Sequence, residues 1–332
     1  MSGTFDYLLQ KILFYRRDSP SFISGGLSMI RILHNRVILF LSIFMAFAPC
    51  VISQNVDKPP SDLPVKYEEI NSIQFIEAVK ISGGTCIIPF GILEKHGPHL
   101  PLGTDLLNVR EVALRAAKEE YTLVYPQYYF GQIYEAQQQP GTIAYSHEII
   151  WNLLQETCAE LSRNGIRKII IVNGHGGNNN FLKYFCQAQL ESKKDYAVYF
   201  FLPAKDMELE EQLKKLRKTE GDAHAGEVET SELMAHRPDL VNPADANIQS
   251  GEDLARLKDL KDSFTGIWWY AKFPNHYSGD GSPATKEIGD LVIKSQVKRL
   301  SEMIRSVKAD TKVLDLQNRF FQNSEYPLKT GQ

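Results

Sequence analysis

The sequence predicts an α/β fold, a layered αβα domain built on a mostly parallel sheet. Two observations lead there. Short apolar runs rich in Ile, Val, Tyr and Phe alternate with longer amphipathic ones, the order that strand–helix units produce. Histidines and carboxylates cluster just after two of these runs, where open parallel sheets bind ligands beyond the carboxyl ends of their strands.

Ahead of that pattern lies a different segment. Val37 to Ser53 is almost unbroken apolar sequence, preceded by Arg31 and Arg36. Basic-then-apolar order marks a secretory signal. Val51 and Ser53 sit at the small-residue positions before a cut at Gln54, and Met29 as the start would give a signal of ordinary length, leaving residues 1–28 outside the product. The alternative is a membrane anchor, for which a run broken by Pro49 is short. Export to the periplasm or exterior is the expectation. The organisation is then a targeting region at 1–53, a polar, proline-rich linker at 54–65, a hydrolase-sized domain at 66–310 and a C-terminal extension at 311–332. About 250 residues suffice for one large core. With 37 Lys and Arg against 40 Asp and Glu, interspersed, no basic stripe argues for nucleic acid. Cys86, Cys158 and Cys186 are too sparse for a disulfide framework.

Strands are expected at Thr85–Phe90, Thr122–Pro126, Lys168–Val172 and Ala197–Leu202, short and β-branched. Helices are expected at Leu106–Glu119, His147–Arg163 (ended by Asn164-Gly165), Phe181–Ser192, Met207–Lys218, Glu229–Ala235 and Ala284–Ala309.

Four segments carry candidate chemistry. After the first strand, Gly91-Ile-Leu-Glu94-Lys-His96-Gly-Pro-His99-Leu-Pro-Leu-Gly-Thr-Asp105 gathers carboxylates and imidazoles in a Gly/Pro-rich loop. Alternate residues of an extended segment share a face, so Glu94 and His96 point together. Asp105 returns at the N-cap of the next helix, as a cap, a ligand, or both. After the third strand, Asn173-Gly-His175-Gly-Gly-Asn178 presents a histidine between glycines. It lacks the Lys-Ser/Thr and the spacing of a nucleotide loop. Gly221-Asp-Ala-His224-Ala-Gly-Glu227-Val-Glu229 puts a histidine and two glutamates at a helix start, where acids also serve the helix dipole. Pro140-Gly141-Thr142 is a turn whose N–H or hydroxyl groups can meet a substrate carbonyl. Trp268-Trp269-Tyr270 is expected in core or at a subunit contact rather than stacked on a substrate.

Taken in order, Gly91–Glu94–His96–Gly97–His99–Leu100–Pro101–Asp105, Pro140-Gly-Thr142, Asn173-Gly-His175 and His224…Glu229-Thr-Ser231 resemble the creatininase (creatinine amidohydrolase) family over about residues 66–305. Gly279-Asp-Gly281-Ser-Pro283 resembles its C-terminal pattern. The resemblance implies a three-layer αβα sandwich, a homo-oligomer (often a hexamer) and a hydrolase of a non-peptide C–N bond in a cyclic amide, lactam or formamide. It implies two divalent ions per chain, Zn, Mn or Fe, with a hydroxide bridging them. Glu94 and His175 would hold one ion, His96 the other, and Asp105 would bridge. The Glu that creatininase places two residues beyond this histidine is replaced by Gly177. Glu229 is the candidate substitute, ahead of Glu227. His224 is the candidate proton shuttle and substrate contact, joined by Gly141 and Thr142. The aromatic residues that enclose creatinine have no match, with Gly176 and Glu220-Gly221-Asp222 in their places, so metal chemistry is better supported than creatinine as substrate. The alternatives are a metallopeptidase trimming a small peptide, and a non-catalytic, metal-stabilised binding or assembly protein.

Overall fold

The computed structural model describes residues 63–329. The expected signal segment, Met29 and the linker as far as residue 62 lie outside the described residues. Among the described residues no helix is long and apolar enough to cross a membrane.

The chain runs α1 (Ser72–Ile81), β1 (Thr85–Phe90), α2 (Thr104–Glu119), β2 (Leu123–Val124), α3 (His147–Arg163), β3 (Lys168–Asn173), α4 (Asn179–Ala188), β4 (Ala197–Phe200), α5 (Met207–Leu216), α6 (Glu227–His236), α7 (Trp268–Lys272), α8 (Lys286–Ala309) and α9 (Val313–Ser324). The four strands form one sheet in the order β2-β1-β3-β4, and every pairing is parallel. β1 and β3 pair from Thr85↔Lys168 to Phe90↔Asn173, so their carboxyl ends finish level. All six residues of β1 are buried, as expected of a strand covered on both faces.

Right-handed crossovers put α2, which carries the chain from β1 to β2, on one face of the sheet. They put α3 and α4, which lead the other way, on the opposite face. The packing agrees: α8 lies against α2 and α6, while Trp151 of α3 meets Phe181 and Phe185 of α4. The result is an α/β sandwich of three layers. Because the connections after β1 and β3 diverge, the carboxyl ends of these two strands form a switch-point crevice.

Several expected elements differ in extent. The second strand shortens to Leu123–Val124 and the fourth ends at Phe200. α2 starts earlier than expected, because Thr104 donates its hydroxyl to the Pro101 carbonyl (2.8 Å) and closes a turn there. Gly103 therefore takes the N-cap position, and Asp105 lies inside the first turn rather than capping it. α1 and α9 were not expected from the sequence. α1 has a legible signal in its capping box, where Asn71 accepts from the Gln74 N–H and Gln74 accepts from the Asn71 N–H. Val65 is buried, and its carbonyl accepts from the Val124 N–H (2.7 Å).

Candidate metal centre

Close backbone contacts aim the site. Beyond β1 the chain passes so near α2 that a Cβ on Gly91 would stand 2.9 Å from Leu106 Cδ2. Beyond β3, a Cβ on Gly174 would stand 2.6 Å from the Asp105 carbonyl oxygen. Both positions need glycine. The two loops thus close onto the N-terminal turn of α2, whose dipole suits an anionic Asp105.

There the predicted residues converge. Asp105 Oδ1 lies 3.0 Å from His96 Nε2, and its Oδ2 lies 3.4 Å from His175 Nδ1. One carboxylate therefore faces two histidines with separate oxygens. Glu94 Oε1 is 2.8 Å from His175 Nδ1 and 3.8 Å from His96 Nε2. From α6, Glu229 Oε1 comes within 3.4 Å of His96 Nε2. Glu94, His96 and Asp105 are buried. His224 Nδ1 stands 3.9 Å from Glu229 Oε2, and its Nε2 is 2.9 Å from the Lys95 carbonyl oxygen.

The electrostatics favour positive charge. Burial pushes the Glu94 carboxyl up, but the charges of His175 and His224 outweigh it and hold Glu94 well below the usual carboxylate range. Burial likewise pushes Glu229 up, and His96 brings it down to about 2. Burial disfavours a charged His96, yet Asp105 and Glu229 raise it well above an ordinary imidazole. Against the same penalty, His175 is raised by the charge of Glu94 and by the neighbouring carboxylates of Asp105 and Glu135. His224 goes the other way, lowered chiefly by burial.

The donor set fits a divalent cation. Glu94 Oε1 and Asp105 Oδ2 are buried without a hydrogen-bond partner, a costly condition for carboxylate oxygens. His96 Nδ1 is 3.2 Å from the Glu94 carbonyl oxygen, so a neutral His96 donating there turns its Nε2 lone pair toward Asp105. His175 Nε2 lies 3.6 Å from Glu135 Oε1, an outer carboxylate of the kind that orients ligating imidazoles. Two of the groupings able to hold an ion are Glu94–Asp105–His175 and His96–His224–Glu229.

Other predicted residues lie elsewhere. Glu227 accepts from the N–H groups of Lys218 and Thr219 and from the Thr219 hydroxyl, which ties it to the preceding loop. Gly141 is exposed against Leu102. Neither it nor Thr142 lines the cavity of about 510 Å³ that opens beside His175 and His224. That cavity is walled by Gln132, Tyr134, Glu135, Phe264, Trp268 and Trp269. Trp269 is buried, in keeping with the expected core position, and with the more exposed Trp268 it stands beside the cluster. Sequence reading missed Glu135 and His276. His276 is buried and contacts Glu94 Oε2 through Nε2. Its one sequence signal is its place just before the Gly279-Asp-Gly281 segment.

Comparison with known proteins places this geometry. A family profile described as creatinine amidohydrolase matches residues 68–304. Creatinine amidohydrolase of Pseudomonas putida is 27% identical over 252 residues, 68% of this chain and 91% of that protein. A mycofactocin precursor peptide peptidase of Mycolicibacterium smegmatis is 30% identical over 231 residues, 68% of this chain and 85% of that protein. The crystal structure of creatinine amidohydrolase (creatininase) superposes with a TM-score of 0.64 at 21% identity, covering 75% of this chain and 99% of that one, a likeness of fold. Creatininase structures of Zn–Zn type and with Mn share that fold. With nearly the whole domain from α1 to α8 matched, the chain belongs to the creatininase (creatinine amidohydrolase) family and is a hydrolase of that family.

Proposed function

We propose that this chain is a metal-dependent amidohydrolase cleaving a non-peptide C–N bond in a cyclic amide, lactam or formamide. The observation that carries the reading is the shared Asp105, whose two oxygens face His96 and His175 beside the unpartnered Glu94 Oε1. Glu94 and His175 would hold one divalent ion, His96 and Glu229 a second, and Asp105 both. Mixed imidazole and carboxylate donors suit Zn, Mn or Fe. Ions held there would supply polarisation of an amide carbonyl and a water whose pKa is lowered toward about 7.

The chain's own groups supply the rest. A neutral His224 donating from Nε2 to the Lys95 carbonyl keeps its Nδ1 lone pair on the Glu229 side. Burial disfavours the charged form of that imidazole, and its Nδ1 would take the proton of the attacking water and pass it to the leaving nitrogen. Trp268, Trp269 and Phe264 give the cavity an apolar lining, and Gln132 and Glu135 add polar groups to it. The subunit arrangement follows the family as a homo-oligomer, and the targeting segment directs export with cleavage near Ser53.

A second reading, trimming of a short peptide, has specific support. A cavity of about 510 Å³ exceeds what a single small ring needs, and a 30% identical relative is a peptide peptidase. Elemental analysis of the purified chain, alongside a screen of lactams, formamides and short peptides, tests both. Two ions per chain with lactam or formamide turnover supports the first reading, and peptide turnover alone supports the second. A chain with one ion or none and no turnover is a binding module. N-terminal sequencing and sedimentation test export and assembly.

A further inference from the structure

We propose that His276 is a positioning residue for the metal centre, locked by Trp269 into the tautomer that donates to Glu94. The inference rests on the metal-dependent reading above and adds a residue to it. Trp269 Nε1–H donates to His276 Nδ1 at 2.7 Å, both groups being buried. An indole nitrogen only donates, so Nδ1 accepts and a neutral His276 carries its proton on Nε2. That nitrogen contacts Glu94 Oε2. Without a lone pair there, His276 cannot ligate an ion, although it lies within ligand range of Glu94 and His224. It donates to the outer carboxylate oxygen and leaves Oε1, unpartnered and beside His175 Nδ1, to face the cation.

The backbone supports the assignment. His276 has φ +52°, a left-handed conformation uncommon for a residue with a side chain. Antiparallel hydrogen bonds between His224 and Ser278, at 3.1 and 3.0 Å, lay the segment against the cluster. Trp269 also lines the cavity beside His175. The chain Trp269–His276–Glu94 thus joins the pocket wall to a predicted ligand. Outer partners of this kind typically change metal affinity about 10- to 100-fold when removed.

The test titrates chelator-treated, full-length protein with Mn²⁺ by calorimetry and with Co²⁺ by visible absorption, in wild type, His276→Phe, His276→Gln and Trp269→Phe. His276→Phe should weaken one ion by about 10- to 100-fold and alter its Co²⁺ band, with the other ion unchanged. His276→Gln, which keeps an N–H donor, should recover most of the affinity. Trp269→Phe should weaken binding less and release the ¹⁵N signature of a single Nε2–H tautomer. Wild-type affinity and an unaltered Co²⁺ band in His276→Phe, or no recovery in His276→Gln, overturns the proposal. If His276→Phe fails to fold by circular dichroism, an unchanged tautomer and affinity in Trp269→Phe overturns it instead. A wild-type chain that binds no ion overturns the metal-dependent reading and this inference with it. Wild-type binding with His276→Phe unaffected overturns the inference alone.

Discussion

Glu227 and Glu229 open the same helix, α6, yet their carboxylates serve different structures. Glu227 holds Lys218 and Thr219 through backbone and hydroxyl hydrogen bonds. Glu229 turns toward His96 at 3.4 Å. The division predicts opposite phenotypes. Glu229→Gln should lose one ion with the fold intact. Glu227→Gln should keep both ions and lose about 1–3 kcal/mol of stability, since buried donors are left poorly satisfied. Metal analysis with urea denaturation reads both, and equal metal content in the two variants would remove Glu229 from the ligand set.

Asp105→Ala should release both ions, because Asp105 presents a separate oxygen to each of His96 and His175. Activity should drop by about three orders of magnitude or more, the scale of several kcal/mol of transition-state stabilisation. His175→Ala should lose at least the ion it shares with Glu94. Full occupancy in either variant rejects the assignment.

His224→Ala should retain both ions and lower kcat by about 10²–10⁴-fold, the usual contribution of a positioned proton carrier. Loss of an ion in this variant would recast His224 as a ligand, a role its grouping with His96 and Glu229 also permits.

Stability should carry a pH signature from Glu232. Burial first, then the charges of Glu229 and Asp222, push this carboxyl up to about 8, against a hydrogen bond from Gln296. Its folded value thus exceeds its unfolded one. The folded chain keeps a proton that the unfolded chain releases, so this contribution to stability falls as pH rises from about 4.5 to about 8. Urea unfolding of chelator-treated protein across that range should show Glu232→Gln with a shallower decline than wild type. Equal slopes would refute the assignment.

Gly177 lies against two of the candidate site residues. A Cβ there would lie 2.3 Å from His175 Nε2 and 2.4 Å from Glu135 Oε1. Gly177→Ala should therefore displace the His175 ring and weaken one ion, measurable in the same Mn²⁺ titration. Unchanged affinity would mean that the ring and Glu135 give way freely.

The fold was legible because its strands are short and β-branched; β1 and α3 coincide with their expected bounds. Glu94, His96 and His175 were legible because they follow buried strands, and Asp105 because it lies in the first turn of the next helix. His276 and Glu135 were not, since neither lies at a strand end. His276 reaches Glu94 only because Ser278 pairs with His224. Glu135 reaches His175 from a loop fixed by contacts such as Gln132 N–H to Asn178 Oδ1 (2.9 Å). Trp269 is buried as expected, but an aromatic pair carries no mark of which cavity it will line.

The glycine seam at Gly91 and Gly174 separates what can vary from what cannot. It welds Glu94, Asp105 and His175 to the main chain of the sheet, while the cavity takes Gln132, Glu135, Phe264 and Trp268 from peripheral segments and the start of α7. Evolution can recut the loops for a new amide without disturbing the cation cradle. Trp269 is the exception, a wall residue tethered through His276 to the cradle itself, so it should resist replacement even as the residues around it drift.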